Sequence, residues 1–297
     1  MSTNCPHADC RGDREEVRAV KEGGNRLTRF YSVFPWIDDP ESERGKEYLQ
    51  ATLGAMEKLL GHPWIGELCG REGLQVLELC GGAGFGGVAL AKLLIEKGVD
   101  VKLSITDLRP DVLERAQVLG VRELGREPET LVLNAREAHR LRRKFDVALL
   151  YGLSTPHFNP WELTELLASV GEVLKDEGIL LIEETDRRYR IFLMIGYKWA
   201  LAEAAEERFT VSFHTGYDLY RGTVRRHYID FAAGSGPVEM ETFMWGLAEV
   251  GAFASCFFRE VDFVRIRNQR HFILGRGPRR AISPGDLRRP RAVGEGG

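Results

Sequence analysis

The sequence has few cysteines, no long apolar run and almost no excess of either charge. Its five cysteines (Cys5, Cys10, Cys69, Cys80 and Cys256) are odd in number and scattered. They do not make a disulfide framework, and they predict reduced thiols in a cytoplasmic protein. No window approaches the roughly 18 apolar residues that a spanning helix needs. The most apolar stretch, Ile191 to Tyr197, is cut short at Lys198, so no membrane partner is expected. The opening MSTNCPHADC has no basic start leading into an apolar run, and no secretory signal is expected. Forty-one Lys and Arg stand against 44 Asp and Glu, a formal net charge of −3. That balance excludes a surface built throughout to coat nucleic acid or an anionic membrane, while leaving room for local basic patches. Cys5, His7 and Cys10 form the one close Cys/His group, and without a second ligand pair downstream they make a poor zinc site. No metal is expected.

What is present is a chain of 297 residues, 43% hydrophobic and 29% charged, enough for one large α/β domain or two small ones. Residues 1–24 are polar and read as a flexible arm closed by Gly23-Gly24. Residues 25–70 read as a helical cap, with Tyr48, Leu49, Thr52, Met56, Leu59 and Leu60 at helical spacing. Ahead of that helix stand Phe30, Tyr31, Phe34 and Trp36, which either pack the cap onto the main domain or roof a cleft; packing is the expectation. From residue 71 to 277 strands and helices alternate. The strands LQVLEL, VKLSITD, ETLVLN, FDVALLYG and ILLIEET are separated by helical stretches, of which PWELTELLASVGEVLKDEG ends on a glycine suited to a cap. Near-continuously apolar strands in this alternation indicate a parallel sheet covered by helices on both faces. The rhythm breaks at about 187–241. This insert is expected to open with a helix, IFLMIGYKWALAEAAEERF, and to continue in strand-like pieces. A helix METFMWGLAEVGAF and two closing strands follow, and 278–297 reads as a flexible Arg-rich tail.

The segment Val76 to Gly87, VLELCGGAGFGG, is a strand, a glycine turn and the start of a helix. Ligands of open α/β sheets bind at such a turn, where a Cβ would hold the backbone off the ligand. Gly82, Gly84 and Gly87 satisfy G-x-G-x-x-G, by itself a weak match to a dinucleotide site, and the strand before and helix after favour a ligand turn over a packing turn. Glu78-Leu79-Cys80-Gly81-Gly82-Ala83-Gly84 resembles the first motif of the class I S-adenosylmethionine-dependent methyltransferases, an acid at a strand end followed by G-x-G-x-G. Cys80 replaces the first glycine, a departure that a negative φ would tolerate. The resemblance covers about Leu74 to Gly277, including the closing helix and strand pair. It implies a Rossmann-like, doubly wound α/β fold: a mostly parallel seven-stranded sheet with a closing antiparallel strand, an N-terminal helical cap and an insert before the last helix. It also implies S-adenosyl-L-methionine as cofactor and S-adenosyl-L-homocysteine as product.

On that resemblance the cofactor-binding candidates are Glu78, Cys80, Gly81, Gly82, Gly84, Asp107, Leu108, Asn134, Ala135 and Tyr151. A carboxylate at the turn, Glu78, would repel a pyrophosphate but can bind an ammonium group. Asp107 ends the second strand in SITDLRPDVLERA, where a carboxylate can accept from both ribose hydroxyls. NAD enzymes use the same device, so Glu78 is the more discriminating acid. Asn134 stands where an acceptor for the adenine amino group is expected, with the Ala135 N–H beside it; an Asn at a strand end is also a common turn former. Leu108 and Tyr151 are expected to line the site, with Gly152.

Methyl transfer needs alignment and exclusion of water, and a base only when the acceptor must lose a proton. His157 in the loop YGLSTPHFNPW, and Tyr189 and His214 in the aromatic insert, are the catalytic candidates. Glu183 and Glu184 either hold a cationic acceptor or pair with Arg187 and Arg188. Basic clusters at 140–144, 187–190 and 225–226 would favour RNA if they converged on the cleft. The expectation is a methyltransferase for a small-molecule acceptor, with an RNA-modifying enzyme and a non-catalytic cofactor-binding protein as alternatives and a homodimer compatible with either. A dehydrogenase is disfavoured by Glu78 and by the closing strands.

Overall fold

The computed structural model describes residues 9–205, 208–234 and 236–294; Cys5 and His7 lie outside the described residues. The first helix, α1, runs Asp9–Val33 and the second, α2, Glu43–Leu60. Then follow β1 (Gly73–Leu79), α3 (Phe85–Glu96), β2 (Asp100–Asp107), α4 (Pro110–Leu124), β3 (Glu129–Val132), β4 (Phe145–Leu150), α5 (Pro160–Val173) and β5 (Leu174–Thr185). The insert contributes β6 (Ala200–Ala205), β7 (Arg208–Asp218), β8 (Thr223–Asp230) and β9 (Val238–Phe243). Helix α6 (Leu247–Phe257), β10 (Phe258–Arg267) and β11 (Arg270–Pro278) close the chain's main body.

The main sheet has seven strands in the order β10-β11-β5-β4-β1-β2-β3. β1 to β5 are parallel, β11 joins β5 antiparallel and β10 joins β11 antiparallel. Every residue of β4 is buried, as a central parallel strand covered on both faces requires. One face carries the core of α2, α3 and α4, where Met56, Leu59 and Leu90 are inaccessible; the other carries α5 and α6 around Phe145 and Trp245. α3 is apolar all round because α2 covers its outer side. Asn159 and Glu162 close a capping box at the start of α5. This is the fold expected from the sequence. No helix among the described residues is long and apolar enough to cross a membrane.

Several boundaries differ. The flexible arm is corrected over its described part: from Asp9, α1 continues unbroken through Gly23 and Gly24 into the cap. A Cβ on Gly24 would lie 2.4 Å from the Leu108 carbonyl oxygen, so glycine lets α1 pass this close to the turn after β2. The insert does not open with a long helix. Tyr189–Ile195 form one π-helical turn that ends at Gly196 (φ +73), and β6 follows. The insert is a four-stranded antiparallel sheet, β6-β7-β8-β9, and β9 takes Met240–Phe243 out of the expected last helix. α5 ends at Val173 and not at Gly178, which lies in β5 within the irregular stretch of its pairing with β4, between Leu174 and Ile179. The tail is docked in its described part: Arg289 holds Glu165 with two bonds of 2.6 Å, and Val293 is 2% exposed. A third apolar cluster joins α1 to the insert through Phe30, Val33, Tyr228, Val238 and Met240.

Candidate functional site

The carboxyl ends of β1, β2 and β4 open into a cavity of about 510 Å³ roofed by α1 and the residues after it. The β1 turn makes its floor. Gly82 (φ +54) and Gly84 (φ +80) take left-handed backbone, and Gly84 is the N-cap of α3. Cys80 is also left-handed, at φ +53, so the condition under which a side chain is tolerated there without strain is not met. A side chain there costs roughly 1–2 kcal/mol, the strain that a glycine avoids. Burial and the nearby Asp107 push its thiol up, so it stays protonated.

Glu78 is 1% exposed, and neither carboxylate oxygen has a hydrogen-bond partner among the described residues. Burial pushes its carboxyl up to about 8, with Asp107 adding to the rise and the nearby Gly87 and Gly86 N–H groups opposing it. Gly86 and Gly87 make its space, since a Cβ on either would lie 2.6 Å from a Glu78 oxygen. Gly86, which matches no position of the glycine pattern, was not singled out in the sequence.

Asp107 is 7% exposed. One oxygen accepts from the Gly82 N–H at 2.9 Å; the other accepts from the Arg109 N–H at 3.0 Å and from its Nε at 3.4 Å. Arg109 then donates to Asp38 at 3.0 Å, and its guanidinium lies 4.3 Å from the centre of the Tyr31 ring. Arg109 and Asp38 were not anticipated; an arginine two residues past the strand-end acid in SITDLRP is the one local signal. Leu108, Asn134 and Ala135 line the cavity with Gly81 and Tyr151. The Asn134 side chain accepts from the Arg136 N–H at 3.2 Å and caps a short 3-10 turn. Tyr151 donates to Thr52 at 3.2 Å, and the Gly152 N–H donates to Glu183 at 2.9 Å.

A second cavity, of about 330 Å³, lies between α1 and the insert sheet. Tyr31, Trp36, Gly152 and His157 line both cavities. The aromatic cluster therefore both packs and roofs: Phe30 and Phe34 meet Tyr228, while Tyr31 and Trp36 face the cavities. His157 Nε2 is 2.8 Å from the Tyr31 hydroxyl. Burial, then Arg187, Arg109 and Arg26, press the imidazole down to about 4. The other two catalytic candidates are not at either cavity. Tyr189 is 47% exposed on the π-helical turn, and His214 Nδ1 lies 2.6 Å from the Tyr197 hydroxyl, with its ring against Trp199.

Two of the basic clusters each send one arginine to the second cavity, Arg187 and Arg226, both engaged by protein groups, and no residue of 140–144 lines either cavity. Arg187 pairs with Glu184, Arg188 with Glu249, Arg143 with Glu129 and Arg225 with Glu241. Glu183 pairs with Arg270 instead of Arg187 or Arg188.

No family model matches the chain, and no curated protein is similar enough to it to match. Solved structures are similar over most of its length. An S-adenosylmethionine-dependent methyltransferase from Clostridium acetobutylicum superposes with a TM-score of 0.57 at 15% identity, covering 86% of this chain and 98% of that one. A protein from Pyrococcus horikoshii gives 0.56 at 21% identity, over 84% and 99% of the two chains. The amino pentose methyltransferase CalS10 from Micromonospora echinaspora, with S-adenosylmethionine bound, gives 0.53 at 17% identity, over 79% and 93%. The chain has the class I methyltransferase fold.

Proposed function

We propose that the chain is an S-adenosylmethionine-dependent methyltransferase acting on a small-molecule acceptor. The observation that carries this reading is Glu78: a buried carboxyl at a glycine turn, neither oxygen in a hydrogen bond among the described residues, gains by ionising against an ammonium group and gains nothing from a pyrophosphate. The methionine ammonium group supplies that cation. Asp107 would hold the ribose hydroxyls once Arg109 yields one oxygen, and Leu108, Asn134 and Ala135 would hold the adenine. When bound, the cofactor supplies an electrophilic methyl group whose bond to sulfur breaks as the bond to the acceptor forms, the bonding pair staying on sulfur.

The chain's own residues align and enclose. Among the described residues, the four common to both cavities make their shared wall, so the acceptor belongs in the second cavity and transfer at that wall. The second cavity also weighs against a non-catalytic cofactor-binding protein, and the paired arginines weigh against RNA. CalS10 acts on a small molecule, an amino pentose, with the same fold, which is consistent with this reading.

The test is calorimetric titration with S-adenosylhomocysteine of the wild type and of Asp107→Ala. Loss of two charged hydrogen bonds is expected to weaken binding at least 10-fold. Equal affinity in the two proteins would sink the ribose assignment.

A further inference from the structure

Beyond Tyr31 and His157 at the wall it shares with the first, the second cavity is lined by charged side chains that are mostly engaged by protein groups. Phe30, Phe34, Trp36, Tyr228, Ile191 and Ile195 give it aromatic and aliphatic walls. Of the cations that line it, Arg187 is engaged by Glu184 and the Leu153 carbonyl. Arg226 donates to Ser212, to the Lys198 carbonyl and to the Tyr197 hydroxyl, and Lys198 itself is exposed. Glu203 shares Ser212 with Arg226. None of the buried cations is left to hold a phosphate. A sugar would leave most of its hydroxyls unpaired against such walls, at a cost for each. A flat apolar body fits them.

At the shared wall, Tyr31 and His157 are the only titratable side chains. We propose that the acceptor is a flat, apolar molecule carrying an acidic hydroxyl, a phenol or an enol, that it is methylated on that oxygen, and that Tyr31 and His157 together receive the proton. This rests on the first cavity being the S-adenosylmethionine site.

The Tyr31 hydroxyl and His157 Nε2 are joined at 2.8 Å, and His157 makes no other side-chain hydrogen bond among the described residues. The tautomer invoked is the one protonated at Nδ1, in which the Nε2 lone pair accepts from the Tyr31 hydroxyl. Burial pushes the Tyr31 phenol up and the imidazole down, so both are neutral at neutral pH, and the imidazole is a weak base that takes the proton only as the new bond to carbon acidifies the acceptor hydroxyl. The acceptor's proton moves to the Tyr31 oxygen as the Tyr31 proton moves to Nε2. The acceptor oxygen keeps the electron pair that makes the new bond to carbon, and the imidazolium later loses its proton to solvent. The groups facing His157 are Tyr31 and Arg26 on α1, Arg109 after β2 and Arg187 after β5. The positive charges that disfavour an imidazolium there favour an oxyanion in front of it, and they disfavour an ammonium acceptor.

The experiment uses 4-nitrophenol and 4-nitroaniline as probes, added to the full chain saturated with S-adenosylhomocysteine. The visible phenolate band reads the probe's ionisation without any turnover. The proposal expects bound 4-nitrophenol to ionise about one pH unit or more below the free probe. It expects 4-nitroaniline to bind at least 10-fold more weakly. Tyr31→Phe and His157→Gln, checked for folding by thermal unfolding, are each expected to reduce the shift. Failure of S-adenosylhomocysteine to bind would overturn the cofactor reading and this inference with it. Binding of S-adenosylhomocysteine with an unshifted or unbound 4-nitrophenol, or with 4-nitroaniline bound equally well, would overturn the inference alone.

Discussion

Arg109 reaches Asp38 at 3.0 Å while its Nε lies 3.4 Å from Asp107, so one guanidinium ties the roof of the cofactor cavity to the acid expected to hold the ribose. Arg109 is 4% exposed, and removing a partner leaves part of a buried charge uncompensated. Asp38→Ala is expected to destabilise the fold by about 1–3 kcal/mol in urea unfolding. It should also change S-adenosylhomocysteine affinity, because Arg109 then rests on Asp107 alone. Unchanged stability and affinity would show that the roof is held by its apolar contacts.

Cys80 supplies a strain test. At φ +53 a glycine is unstrained and a β-branched residue is worst placed. Cys80→Gly is expected to hold or raise the melting temperature, and Cys80→Val to lower it and weaken cofactor binding. Equal losses from both substitutions would mean that packing of the thiol, and not backbone strain, governs the position.

Gly86 lies inside a helix, where alanine ordinarily stabilises by about 1 kcal/mol. Here a Cβ would sit 2.5 Å from the Tyr151 Cβ and 2.6 Å from a Glu78 oxygen. Gly86→Ala is therefore expected to destabilise by about 1–3 kcal/mol and to impair S-adenosylhomocysteine binding. A more stable variant with intact binding would contradict the placement of Glu78.

The parts legible in the sequence were those carried by local pattern. β1, its glycine turn and Asp107 are contiguous segments whose residue types already state the geometry they need. The pairs that complete the site join distant segments: Tyr31 with His157, and Arg109 with Asp38, are set by how α1 and the residues after it roof the carboxyl ends of the strands. No local pattern encodes that. The insert misled for a different reason. ALAEAA has helical propensity, yet it forms β6 because its neighbours on β7, including Phe209, Val211 and Phe213, offer it a ladder. The apolar IFLMI before it was read as part of a continuing helix, whereas Gly196 ends it after one turn and leaves Leu193 77% exposed.

His157 makes a pH prediction. Its imidazole is pressed from 6.5 to about 4 in the folded chain, so on acidification the unfolded chain takes up the proton first. The stability that neutral His157 contributes is complete above pH 6.5 and is lost as the pH falls towards 4, on the order of 3 kcal/mol in all. Denaturant unfolding across that range should fall more steeply for the wild type than for His157→Asn. Parallel curves would mean that the histidine is hydrated and accessible.

The central claim, that Glu78 waits for an ammonium group, is tested most directly by calorimetric titration with S-adenosylhomocysteine in two buffers of different ionisation enthalpy, with NADH as control. With its carboxyl pushed up to about 8, Glu78 is mostly protonated at pH 7 in the free protein and must ionise to meet the ligand. The account predicts roughly micromolar binding of S-adenosylhomocysteine with release of about one proton, no release from Glu78→Gln, and no binding of NADH. Binding of NADH in place of S-adenosylhomocysteine, or binding of the latter with no proton released, would contradict it.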